Sequence, residues 1–268
     1  MALALKKQGD WEIRIWARDQ ASLQESEAIV CPAKASCRLE EIIPGAKIVV
    51  LCTPIVAMGR LARQIYPLLD HDAVVTDVGS VKTAVMCELA PIFNERFVGG
   101  HPMAGSEQSG VGAARANLFE GAVCILTPLC SPEASSSNVS LQAVRKLWSA
   151  IGTRIFEMSP EEHDASVAMI SHLPHAAAVA LVQSIGSQNI SLQEIAGGGY
   201  RDTTRVAVGS PDLWVDIFLG NREPILQSIS EYMNQLQTLS HLLRDADTSK
   251  LRSFLKEAKE ARSQLRPI

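Results

Sequence analysis

Along the first half of the chain, short and almost continuous apolar runs alternate with longer segments whose apolar residues recur every three or four positions. The runs are "EIRIW" (Glu12 to Trp16), "KIVVLC" (Lys47 to Cys52), "AVVTDV" (Ala73 to Val78), "RFVGG" (Arg96 to Gly100) and "GAVCILT" (Gly121 to Thr127). Their β-branched content and lack of polar alternation predict strands covered on both faces, and the helical period between them predicts βαβ units in a parallel sheet. Helices are predicted over Ile55 to Leu69 and Val81 to Phe93. After the polar break "SPEASSSN", a further helix is predicted over Val139 to Ile151, then a last strand-like run, "TRIFEM".

After Met158 the period of two is lost. Ser159, Pro160 and Glu162 combine an N-cap hydroxyl, a proline at N1 and a glutamate at N3, which is a strong helix start. The helix is expected to reach about Ile185 and to bend at Pro174, which cannot donate to the ladder. Further helices are expected over Asp212 to Leu219 and Pro224 to Leu243, and in a last segment whose Leu251, Phe254, Leu255 and Ala258 share one face. The boundary therefore falls near residue 158: α/β over 1–158 and all-helical over 159–268. The "GGG" at Gly197 to Gly199 follows helix rather than strand and reads as a flexible connection, not a phosphate loop.

A doubly wound dinucleotide domain opens with a strand, G-x-G-x-x-G and a helix. Here "MALALKKQG" already reads as the back half of that helix, so the fold class expected is a Rossmann-like sheet lacking its first strand and glycine loop, followed by a helical domain.

Composition narrows the class. The chain has 268 residues, 47% of them hydrophobic, a net charge of −4 and a pI near 5.9, so it can bury a core and lacks the basic excess that nucleic acid requires. The six cysteines form no C-x-x-C pair, and Cys52 and Cys124 fall inside apolar runs, where they read as small core residues of a reducing compartment. The start has the wrong order of charge and apolarity for a secretory signal, and no uninterrupted apolar run has membrane-spanning length, so a cytoplasmic protein without membrane contact is expected.

In open parallel sheets, ligands sit beyond the carboxyl ends of the strands. Four such ends carry polar or turn-forming residues: Arg18 after "IW", Thr53 and Pro54 after "LC", Ser80 and Lys82 in "DVGSVK", and His101 in "GGHPMAG". In the helical half, His172 and His175 lie three apart on one face; with no third ligand at recognisable spacing, no metal site is expected, and a cleft-lining pair or plain packing remains. Arg205 precedes an apolar stretch and reads as a carboxylate clamp. Trp214 reads as core or pocket wall, and His71, His163 and His241 are assigned no role.

Taken together, "DVGSVK", "GGHPMAGSEQSG", "SHLPHA" and "GGGYRDTTRVAVGSPDLW", in this order, resemble the prephenate and arogenate dehydrogenases of tyrosine biosynthesis over nearly the whole chain. The resemblance implies NAD(P)-dependent oxidative decarboxylation of prephenate or arogenate, giving 4-hydroxyphenylpyruvate or tyrosine, by a homodimer joined through its helical domain. By matching position it implies His101 as the catalytic base and Ser80 beside the nicotinamide. It places His172 and Arg205 on the substrate, with Glu107 and Trp214 near it. A neutral imidazole suits the removal of a hydroxyl proton near pH 7. The glycines of "GGHPMAG" are expected to let backbone and nicotinamide approach closely. At the end of "EIRIW", Ala17 stands where an acidic ribose ligand is usual and Arg18 suits a 2′-phosphate, which favours NADP; a shift of register onto Asp19 restores NAD. No tyrosine-sensing domain or fused mutase is expected after Ile268. Two other classes stay open: a dimeric scaffold that has lost its cofactor site, and a dehydrogenase of the 3-hydroxyacid type.

Overall fold

The computed structural model describes residues 1–9, 11–105, 110–129, 138–186 and 194–265. Its α/β half contains a five-stranded sheet in the order β3-β4-β5-β6-β7 (Ile48–Leu51, Val74–Asp77, Phe97–Pro102, Val123–Pro128, Arg154–Glu157). A separate parallel pair, β1 (Arg14–Trp16) and β2 (Lys34–Ser36), lies beside it. All pairings in the larger sheet are parallel except β5 with β6, where His101 faces Ile125 in antiparallel register. The expected parallel pattern is broken at that pairing, and the predicted strand "EIRIW" contributes to the separate pair rather than to the larger sheet. The long connection from β5 lets β6 return from the opposite end.

Alternation along the strands explains why the runs look continuously apolar. Val74 and Val98 join a core with Leu126, Leu141, Val144 and Trp148, while Val75 and Phe97 face the other way onto Met58, Leu61, Val85, Leu89 and Phe93. The first face is covered by α1 (Ala2–Gln8) and α6 (Val139–Ala150), and the second by α4 (Ile55–Ile65) and α5 (Thr83–Phe93). In α4 the buried Met58, Leu61, Ala62 and Ile65 follow helical spacing. The predicted helix to Leu69 instead tightens into a 3₁₀ turn at Tyr66–Leu68, which contains Pro67. Two further helices, α2 (Gln20–Val30) and the short α3 (Leu39–Ile42), complete this half, and neither has a distinctive apolar period in the sequence.

β1 and β3 face each other across a cavity of about 1250 Å³, lined by Ile13, Ile15 and Trp16 on one side and by Ile48, Val50 and Leu51 on the other. Cys124 is buried as expected, but Cys52, at the end of β3, is exposed along this cavity rather than in the core.

Beyond Glu157 every described element is helical. Ser159 accepts from the Glu162 amide at 3.1 Å while Glu162 accepts from the Ser159 amide at 2.9 Å, so the capping box that opens α7 (Pro160–Val167) is formed. The bend predicted at Pro174 takes the form of a π turn over Ala168–His172, closed by the Leu173 amide on the Ala168 carbonyl, after which α8 runs over Leu173–Gly186. Proline cannot donate to residue 170, and widening the preceding turn relieves the mismatch. Pro160–Ile185 is, by length and apolarity alone, long enough to cross a bilayer, although its apolar residues form no uninterrupted run. Gly198 and Gly199 are not a free connection but the first turn of a helix, Gly198–Thr204. It is followed by a 3₁₀ turn at Arg205–Val208 and by helices at Pro211–Gly220, Arg222–Arg244 and Thr248–Ser263.

Candidate active site

The carboxyl end of β5 carries His101, 6% exposed, and the helical half is pressed directly against it. His101 Nδ1 lies 2.8 Å from Nε2 of His163 on α7, and His163 Nδ1 lies 2.8 Å from Asp164 Oδ1. Asp164 reaches back across the seam, accepting from the backbone amides of Lys82 at 2.7 Å and Thr83 at 2.9 Å at the start of α5. Burial pushes its carboxyl up, but the hydrogen bonds from His163, Lys82 and Thr83 outweigh that and hold it below its ordinary value. Burial first, and then the neighbouring His163, Lys82 and His172, push His101 well below the usual imidazole value, so its neutral form prevails at pH 7.

The strand end beside it is fixed by a second buried device. Lys82 Nζ pairs with Asp77 Oδ2, both side chains being fully buried, and the same carboxylate accepts from the amides of Gly79 at 2.7 Å and Gly100 at 3.0 Å. This ties the end of β4, the Ser80 turn and the residue before His101 into one unit. Gly99 and Gly100 of "GGHPMAG" are tightly packed, whereas Gly105 has open space around it. A Cβ on Gly100 would sit 2.8 Å from the Asp77 carbonyl oxygen and 3.4 Å from Trp148 Nε1, and one on Gly99 would sit 2.3 Å from Thr127 Oγ1. Close packing within the protein by itself favours glycine at both positions.

On the helical side, Asn221 donates to the Asp164 carbonyl at 2.8 Å and its Nδ2 lies 3.1 Å from His172 Nδ1. Because an amide nitrogen donates, His172 accepts at Nδ1, and its Nε2 carries the proton. That Nε2 is buried and has no hydrogen-bond partner among the described residues. Burial holds His172 down at about 4, so it is a neutral N–H donor at pH 7. His172 and His175 do not pair with each other: His175 stacks on Trp214 with ring centroids 3.4 Å apart, and Trp214 meets His172 edge-on. Trp214 is thus half-buried against the two histidines rather than deep in the core. Gly209 makes room for it, since a Cβ there would fall 2.4 Å from Trp214 Nε1. Gly209→Ala is expected to displace the indole and cost about 1 to 3 kcal/mol of stability, read as a lower urea midpoint with an altered near-ultraviolet tryptophan signal.

Arg205 opens the 3₁₀ turn between Gly198–Thr204 and Pro211–Gly220, and this turn packs on α8. It is exposed, and the apolar residues that follow it do not bury it, contrary to expectation. Glu107 lies outside the described residues. Ser80 is half-buried in the turn whose Val81 packs on Gly220, which would bring a Cβ there to 3.4 Å.

Arg18, Thr53 and Pro54 all line the large cavity. The Thr53 hydroxyl is buried without a partner among the described residues, as a group awaiting a polar ligand would be. Arg18 is 90% exposed, and Asp19 beside it is engaged as the N-cap of α2, accepting from the Ser22 amide at 2.9 Å. These strand-end residues fit a dinucleotide lying across the sheet. No group of three or more possible metal ligands occurs among the described residues.

His163, Asp164 and Asn221 were not legible as site residues. For His163 a signal existed: it stands four before Val167 on a helical face, and both are fully buried. Asn221, at a helix junction, offers none.

A nucleotide-type α/β sheet whose strand-end histidine is sealed by a helical body defines a two-part nucleotide-binding protein. Residues 1–157 match the nucleotide-binding domain of prephenate dehydrogenase and residues 159–257 match its dimerization domain. The chain belongs to the prephenate dehydrogenase family. It is 36% identical to the prephenate dehydrogenase of Bacillus subtilis over 85% of its own length and 63% of that protein's. It is 34% identical to the cyclohexadienyl dehydrogenase of Zymomonas mobilis, over 85% of this chain and 78% of that one. Among solved structures, prephenate dehydrogenase from Aquifex aeolicus, in complex with hydroxyphenyl propionate and NAD+, superposes with a TM-score of 0.89 at 33% identity, covering 98% of this chain and 92% of that one. Synechocystis arogenate dehydrogenase gives 0.82 at 31% identity, covering 98% and 95%. The chain thus spans just under two thirds of the length of the Bacillus relative.

Proposed function

We propose that this protein catalyses the NAD(P)-dependent oxidative decarboxylation of prephenate or arogenate, with residues 1–158 holding the dinucleotide and 159–268 closing over the substrate. The observation that carries the reading is His101: a buried, neutral imidazole at a strand's carboxyl end, roofed by the helical half. A bound nicotinamide supplies the acceptor for the electron pair leaving the ring carbon. His101 takes the hydroxyl proton through Nε2, and loss of carbon dioxide then completes an aromatic ring. Ser80, in the adjoining turn, orients the nicotinamide side. The unpartnered His172 Nε2–H donates to a substrate oxygen, Trp214 walls the ring, Glu107 lies at the pocket edge, and Arg205 grips a carboxylate.

Thr53, Pro54 and Arg18 hold the nucleotide. With Asp19 already committed to its helix cap, Arg18 favours a 2′-phosphate, hence NADP, although the similar Aquifex enzyme was captured with NAD+. The protein is further proposed to act as a homodimer, since Met169, Ile170, Leu213, Val215 and Leu219 expose apolar surface on the helical half.

The test is reduction of NAD+ and NADP+ by the purified protein with each of prephenate and arogenate. Absence of turnover in all four combinations refutes the activity, and an NAD+ preference unchanged in Arg18→Ala refutes the cofactor assignment. For Arg205→Ala, KM for the carboxylated substrate is expected to rise, by an amount worth about 2 to 5 kcal/mol where the bound substrate buries the charge pair, with kcat altered much less. A fall in kcat alone would remove Arg205 from substrate binding.

A further inference from the structure

The hydrogen bonds behind His101 form a directed series. Asp164 Oδ1 and Oδ2 face the backbone amides of Lys82 and Thr83, which only donate, so this carboxylate is held as an acceptor. His163 must then present its Nδ1 proton to Asp164 across 2.8 Å. With that nitrogen protonated, neutral His163 has a lone pair at Nε2, and His101 must present its own Nδ1 proton across the next 2.8 Å. What remains on His101 is an Nε2 lone pair. The tautomer needed of a proton acceptor is therefore imposed from α7, across the seam between the two halves.

We infer that His163 and Asp164 are positioning residues that lock His101 in its Nδ1–H tautomer and receive its charge during the reaction. The inference rests on reading His101 as the proton acceptor. When Nε2 takes the hydroxyl proton, His101 becomes an imidazolium. Its Nδ1 proton shifts onto His163 Nε2, leaving His101 neutral with its proton on Nε2 and placing the positive charge next to the Asp164 carboxylate. Return of the proton along the same path resets the site. No oxidant or further reactant takes part. The ammonium of the buried Lys82–Asp77 pair disfavours positive charge on His101, whereas a charge moved onto His163 lies against the Asp164 carboxylate. This is the orienting logic of a triad, with a second imidazole inserted and with two of its three members on a different domain from the base. It also makes the base dependent on docking of the helical half, because His101 loses its orienting partner when α7 is displaced.

The experiment combines imidazole nitrogen NMR with kinetics on His163→Phe and His163→Gln. Phenylalanine fills the space without accepting, whereas the glutamine amide oxygen accepts from His101 Nδ1–H. In the wild-type protein, two-bond proton–nitrogen correlations are expected to show His101 protonated at Nδ1 and bare at Nε2. In His163→Phe the Nε2–H tautomer should dominate, and kcat should fall by about 10- to 10²-fold with KM for prephenate nearly unchanged; His163→Gln should recover much of both. A wild-type His101 protonated at Nε2 overturns the inference whatever the enzyme's activity, as does a His163→Phe variant that keeps the wild-type tautomer. The correct tautomer in a protein that turns over neither substrate would leave the orientation standing and refute the assigned reaction instead, so the two failures are distinguishable. Equal losses in the Phe and Gln variants, with unchanged His101 spectra in both, would mark His163 as merely structural.

Discussion

His101→Asn is expected to lower kcat by about 10²- to 10⁴-fold, roughly 3 to 5 kcal/mol of barrier, with substrate and nucleotide binding little changed. Asparagine keeps a donor toward His163 but has no group that accepts a proton near neutral pH, so chemistry is lost while shape is largely retained. The pH profile of the unaltered protein sharpens the test. Burial and the neighbouring His163, Lys82 and His172 depress the pKa of His101, so the acceptor form is already complete at pH 7. Activity should therefore be flat on descending through pH 6.5 and fall only at lower pH, as the imidazole finally takes a proton from solvent. Measurement of kcat/KM against pH checks this. A limb centred at or above pH 6.5 would contradict a buried base, and near-normal turnover in His101→Asn would exclude it altogether.

Lys82→Met is expected to destabilise the protein by about 3 to 5 kcal/mol, because it leaves the Asp77 carboxylate buried without its counter-charge. Methionine matches the volume of the lysine stem, so packing changes little and the loss is mainly electrostatic. Asp77 still accepts from Gly79 and Gly100, which forces it to remain polar in the interior. In Asp77→Asn/Lys82→Met the amide oxygen retains one of those roles without a charge, and part of the lost stability should return. Urea unfolding of the two variants checks both statements. Equal stability of Lys82→Met and the parent would mean the pair contributes nothing. Because the same carboxylate anchors the Gly100 amide one residue before His101, the single variant should also lose activity before it loses its fold.

Much of the architecture was legible because it depends on local pattern. Strands such as Val74–Asp77 are covered on both faces, so they read as unbroken apolar runs, and the Ser159 to Glu162 cap needs only four consecutive residues to announce a helix. The antiparallel turn of β6 was not legible, because strand direction depends on where a connection emerges and not on the strand's own residues. The same limit applied to chemistry. His101 was found from its place after a strand, while His163 was assigned no role, since its burial depends on α7 docking against a strand some sixty positions earlier.

The amino-acid sequence alone determined the alternation of strand and helix, the change to pure helix beyond Met158, the family motifs and the positions of His101, His172 and Trp214, because periodicity and spacing are local properties of a chain. Only the tertiary structure decided that Asp164 is joined to His101 through His163, that Asn221 directs His172, and that Gly99 and Gly100 answer to packing. Each of these is a contact between segments distant along the chain, formed when burial leaves a polar group no partner except one that another element brings to it.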